Sequence, residues 1–161
     1  MNVVTDDASI ILCFGPKQLP RHEQIFALRE LIITEDRYTK RQSKDGFDGV
    51  QDRDGNHVID WTKPEAYRFS IHCAALKVAF PLPYDHEDPY RDCYDINEEI
   101  LWSIARHAKR LGIMEEDFIE WSERDDVSHQ DVIDVLEVTA EMQRIEDEEL
   151  RKKRERRYLE G

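Results

Sequence analysis

The sequence predicts a mainly helical α+β domain, about four helices with one β-hairpin in a single compact unit. Three observations predict it. Apolar residues recur at three- and four-residue steps in four separate stretches, the period of a helix with one buried face. Between the first two stretches, residues 36–61 break that period with Tyr38, Thr39, Val50, Val58, Ile59 and Trp61, which favour extended backbone. Finally, 161 residues with 40% hydrophobic and 37% charged composition suit one modest core rather than two domains.

Residues 1–20 read as an irregular segment, with a short strand over Ser9–Phe14 stopped by Gly15-Pro16. Pro20 suits the first turn of a helix, and Ile25, Ala27, Leu28, Leu31 and Ile32 continue it to about Thr34. The hairpin is expected over 37–61, turning at Asp52-Arg53-Asp54-Gly55-Asn56, where glycine is free to take positive φ. A calcium loop with Gly55 at its sixth position would need ligands at Val50 and Trp61, neither of which binds a cation. Thr62-Lys63-Pro64-Glu65 reads as a capping box opening a second helix, with Ala66, Phe69, Cys73, Leu76 and Phe80 on its buried stripe. Pro81 and Pro83 end it, and Leu82–Tyr94 has no period and reads as a long loop, a common place for function.

Asp95 with Glu98 predicts the cap of a third helix carrying Ile96, Ile100, Leu101, Ile104, Ala108 and Leu111, closed by Gly112. Met114–Trp121 reads as a short helical turn that pins Phe118 and Trp121 into the body. Ser128, with Asp131 three residues on, starts a fourth helix bearing Val132, Val135, Leu136, Thr139 and Met142. The main domain thus spans 21–142. Beyond it, the charged tail 143–161 has the pairs Asp147/Arg151, Glu148/Lys152 and Glu149/Lys153, enough to keep it helical and projecting without much burial. The expected core gathers Phe69, Cys73, Leu76, Ile100, Ile104, Leu111, Trp121, Val132 and Leu136.

The formal charge is −13; the tail is +1, so residues 1–142 hold −14. Such acidity argues against holding nucleic acid by phosphate neutralisation. Three cysteines, Cys13, Cys73 and Cys93, make no disulfide scaffold and suit a reducing compartment. The opening MNVVTDDASI lacks a basic n-region and no apolar run approaches the length of a membrane span, so a soluble, cytoplasmic protein without membrane contact is expected.

Several residues carry chemistry in principle. A thiol near an imidazole makes a nucleophile–base pair, so Cys73 with His129 as base and Asp131 or Asp134 as orienter would be the catalytic set of a hydrolase or transferase. Against this, the predicted helix puts Cys73 in its middle, on the apolar stripe, as a small buried hydrophobe. His129, at the first position of its helix, equally suits packing on Trp121 or a hydrogen bond to the preceding loop. His72, Cys73, His86 and Cys93 follow no familiar zinc spacing, and the glycines form no phosphate loop, so neither metal nor cofactor is expected. The carboxylates cluster in two places: Asp85, Glu87, Asp88 and Asp92 in the long loop, and Glu115, Glu116, Asp117 and Glu120 before the fourth helix.

The succession Arg37-Tyr38-Thr39, Asp54-Gly55, Cys73-Ala74-Ala75-Leu76, Trp121 and Ser128-His129-Gln130-Asp131-Val132 resembles an uncharacterised family of small bacterial and phage proteins, a domain of unknown function. The resemblance spans about residues 23–142. It departs at Tyr38, where the family has tryptophan, at Ala75, where it has glycine, and at Ser122, where it has asparagine. It implies the helix order and a phage or bacterial origin, hence the cytoplasm of a bacterial host, and brings no activity with it. The reading is therefore a non-catalytic accessory or regulatory protein, phage- or mobile-element-borne, that binds a protein partner through its acidic surface or loop 82–95. The alternatives are the Cys73/His129 enzyme and an acidic DNA mimic that occupies the basic cleft of a host nucleic-acid-binding protein. A homo-oligomer would form through the tail.

Overall fold

The structure, a computed structural model, describes residues 19–40, 49–58, 61–79, 91–114 and 117–160, with backbone alone for 91–96. Its elements are α1 (Arg21–Leu31), a 3-10 turn (Glu35–Arg37), β1 (Val50–Gln51), β2 (Arg68–Phe69), α2 (Ile71–Ala79), α3 (Arg91–Lys109), α4 (Phe118–Ser122) and α5 (His129–Glu160). The mainly helical α+β class is as the sequence predicts. The short strand expected at Ser9–Phe14 lies outside the described residues.

The expected hairpin forms in its inner part, where Gln51 bridges His57 antiparallel, but the named sheet takes its second strand from elsewhere. The turn forms: Gly55 has φ +86°, and Asp52 Oδ1 accepts from the backbone N–H groups of Asp54 and Asn56, both at 2.9 Å. After it, Val58 N donates to Val50 O at 3.1 Å. The strand that pairs with β1, however, is β2, antiparallel with Val50 opposite Phe69 and Gln51 opposite Arg68. Tyr38 bridges Phe69 on its other side, where Thr39 N donates to Phe69 O at 3.2 Å.

This pairing overturns the expected helix start at Thr62. Lys63–Ala66 is a turn, closed by Ala66 N on Lys63 O at 3.1 Å, and Phe69 is extended. The spacing of Ala66, Phe69 and Cys73 mimics a helical stripe, but two partners distant in sequence satisfy the Phe69 backbone as a strand while its ring is buried. The helix begins after Ser70.

Local chemistry sets the other helix ends. α3 closes in a Schellman motif: Gly112 has φ +89°, Gly112 N donates to Lys109 O at 3.1 Å, and Ile113 N donates to Ala108 O at 3.1 Å. Its start differs from expectation, since α3 already runs from Arg91 and Asp95 lies inside it. Asp117 caps α4 by accepting from Ile119 N at 2.8 Å, and α4 buries Phe118 against Trp121, ring centroids 5.4 Å apart. α5 begins in a reciprocal capping box: Ser128 Oγ accepts from Asp131 N at 3.1 Å, and Asp131 Oδ2 accepts from Ser128 N at 2.9 Å. Its 32 residues make a rod about 48 Å long.

The core gathers Ile25, Leu28 and Ile32 around α1, Ile71 and Leu76 from α2, Ile100 and Ile104 from α3, Phe118 and Trp121 from α4, and Val132 and Leu136 from α5. Two expected core residues sit elsewhere. Leu111 is exposed because it lies in the turn after α3, and Cys73 is only partly buried. α1 runs antiparallel along α5, with His22 beside Asp147 and Arg29 beside Glu137. α3 also packs on α5, where buried His107 places Nε2 2.7 Å from Gln143 Oε1 and Arg106 reaches Glu146 at 2.9 Å.

Candidate functional site

Cys73 stands in the first turn of α2 rather than in mid-helix, because the helix starts at Ile71. Ser70 Oγ accepts from Cys73 N at 3.3 Å, as an N-cap side chain does from the third helical residue. At that end of a helix the unpaired N–H groups and the dipole favour a thiolate. The sulfur also lies against backbone: a β-carbon on Gly49 would collide with Cys73 Sγ and come within 2.7 Å of Ser70 Oγ. Gly49 is thus the close approach that lets Ser70 N donate to Gly49 O at 2.8 Å.

His129 and Asp131 have architectural partners. The His129 ring hydrogen-bonds through Nε2 to the carbonyl of Ile32, at 2.7 Å, just past the end of α1. Its face lies on Tyr38, with centroids 5.3 Å apart, rather than on Trp121 as the sequence suggests. Burial pushes the Tyr38 hydroxyl up to about 12, with a hydrogen bond to Ser122 pulling the other way. Asp131 is one half of the capping box, and Asp134 accepts from Gln130 Nε2 at 2.8 Å. The imidazole therefore joins α5 to α1, and the carboxylate proposed to orient it holds a helix start instead.

Of the acidic residues named for partner binding, Asp85, Glu87, Asp88, Glu115 and Glu116 lie outside the described residues, as does the side chain of Asp92. Asp117 is the α4 cap and Glu120 is exposed on α4. Among the described residues no group of three or more His, Cys, Asp or Glu side chains is arranged to hold a metal ion. No helix among them is long and apolar enough to cross a membrane.

A site that the sequence reading passed over lies between α1 and α5. It is a groove of about 820 Å³ floored by Phe26, Val138, Ala140, Met142 and Ile145 and rimmed by His22, Glu23, Glu137, Glu141 and Arg144. Phe26, Val138 and Ile145 are all exposed there, a contiguous apolar patch. The Arg144 guanidinium hydrogen-bonds Glu141 at 2.7 Å and holds its carboxyl below the usual carboxylate range. At one end of the groove Asp147 receives both the His22 ring, at 2.8 Å, and His22 N, at 3.1 Å. The signal was present in the sequence: Phe26 stands off the buried stripe of α1, and Val138 and Ile145 are seven residues apart.

No family model, curated protein or solved structure matches the chain.

Proposed function

We propose that the protein is a non-catalytic accessory or regulatory protein of a phage or mobile element, and that it acts by binding a basic protein surface through its carboxylates. One observation carries the reading: His129 and Asp131, which a catalytic reading needs as base and orienter, are engaged in joining and starting helices. The −14 of residues 1–142 then remains as the chemical character a partner meets. Glu120 on α4 and the carboxylates Asp85, Glu87 and Asp88, in the segment that the sequence reads as a loop, are the groups to which we assign the contact. The test is capture from bacterial host lysate at low and high salt, with the quadruple variant Asp85→Lys, Glu87→Lys, Asp88→Lys, Glu120→Lys alongside. A partner that saturates at low salt, is released by salt and is lost in the variant supports the reading. Absence of any saturable partner at low salt overturns it.

The position of Cys73 favours a second reading, a thiol-based hydrolase or transferase. In a Cys13→Ser, Cys93→Ser background the Cys73 thiol would then titrate below the ordinary value of about 8.5 and react with iodoacetamide at neutral pH. An unreactive thiol in the folded protein ends that reading.

A further inference from the structure

We propose that the groove between α1 and α5 seats the C-terminal helix of a second copy of this chain, so that two α5 helices pair antiparallel about a twofold axis. The sequence of α5 carries the pairing. Val138, Met142, Ile145, Glu149, Lys152, Arg156 and Leu159 follow one another at alternating steps of four and three residues, the spacing of a coiled-coil seam, here apolar at its two ends and charged in its middle. The first three are apolar and floor the groove. The rest continue past it on the tail, where Leu159 is 84% exposed.

Direction follows from composition. Parallel pairing in register would set Lys152 on Lys152 and Arg156 on Arg156. Antiparallel pairing sets Leu159 of one copy on Val138 of the other, Arg156 on Met142 and Lys152 on Ile145, with the axis beside Glu149. The alkyl stems of Lys152 and Arg156 then cover the apolar floor while their charged heads reach the rim. Charge agrees in balance: residues 151–160 hold six basic and two acidic residues, and the rim they meet carries three carboxylates, Glu23, Glu137 and Glu141, against the Arg144 guanidinium and the His22 ring. Phe26 of α1 flanks the seam, so the incoming helix lies against two helices and not one.

A tail seated in the groove comes from another copy. The tail continues α5 without a break to Glu160, and Leu159 lies about 32 Å along the helix from Val138, so no chain lays its tail in its own groove. The pairing also leaves a mark: at the axis two Glu149 carboxylates face each other, which weakens the dimer and makes it adjustable. This inference is independent of the hetero-partner reading, whose described carboxylate, Glu120, does not line the groove.

The test is sedimentation equilibrium of the full chain up to about 100 µM, a range that resolves dissociation constants weaker than about micromolar. A dimer is expected. Leu159→Asp alters a side chain at the exposed end of the tail and should weaken the dimer at least about tenfold with the unfolding temperature of the monomer unchanged. Glu149→Leu removes the facing charges and should tighten it about tenfold. A chain that stays monomeric at about 100 µM overturns the proposal. So does a dimer indifferent to both substitutions, since another face then holds it.

Discussion

The two halves of α5 are one helix made for two different reasons. From Val132 to Gln143 its inner face is buried, with Val132, Ile133, Leu136, Thr139 and Ala140 packed into the body. From Arg151 onward its residues are exposed, and neighbouring charges support it: Arg151 with Glu155 at 2.5 Å, Lys152 with Glu148 at 3.6 Å and Arg144 with Glu148 at 3.1 Å. Burying a leucine is worth about 2 kcal/mol, whereas a surface pair spaced four apart is worth a few tenths. Continuity of a helix therefore says nothing about uniformity of its stability. The first half is held by the fold, and the second by its own side chains until something covers it.

That contrast can be broken most forcefully in the buried half. Leu136→Ala opens a cavity under a fully buried side chain and should cost about 2–5 kcal/mol, read as a lowered midpoint in thermal or urea unfolding. Gln143→Ala removes the partner of the buried His107 ring at 2.7 Å and should cost about 1–3 kcal/mol by the same measurement.

Asp147, where the halves meet, sharpens the contrast through pH. Burial pushes its carboxyl up, but the His22 ring, the Gln143 amide and the His22 backbone N–H outweigh this and hold it below the usual range. Because the folded value lies below the unfolded one, the stability it contributes is complete above the ordinary aspartate value of about 3.9 and is lost as pH falls through the lowered one. Unfolding temperatures measured from neutral to acid should thus fall more steeply for the native chain than for Asp147→Asn, which at neutral pH should cost about 1 kcal/mol. The smallest effect belongs to the outer half. Arg151→Ala should lower helical ellipticity slightly, at about 0.2–0.5 kcal/mol, and leave the unfolding midpoint of the body where it was.

The ends of helices were readable because their determinants are local. Gly112 and the Ser128/Asp131 box announce their turns within four residues, and both form as the spacing predicts. Residues 62–70 are not legible for the opposite reason. Thr62–Glu65 has the letters of a capping box, while what makes Phe69 a strand is Val50 and Tyr38, which the chain brings from far away. With a helix start at Thr62, Cys73 falls in mid-helix, whereas the real start at Ile71 puts it in the first turn. In the tail the sequence pairs Asp147 with Arg151, yet the carboxylate binds His22, 125 residues off. The groove is not legible in the sequence because its floor comes from two helices, each of which alone shows only one or two apolar residues off its buried stripe.

α5 touches α1 at both extremities, through His129 on the carbonyl of Ile32 and through Asp147 on the amide and ring of His22. Those two grips are eighteen residues apart on a single uninterrupted rod, so the rod acts as a caliper. Adding or deleting one residue between them would rotate one jaw by about 100° relative to the other and open it. Point substitutions in that interval are therefore tolerated one by one, according to burial, whereas a change of length there is not, and natural variation in the chain's length is expected to fall outside it.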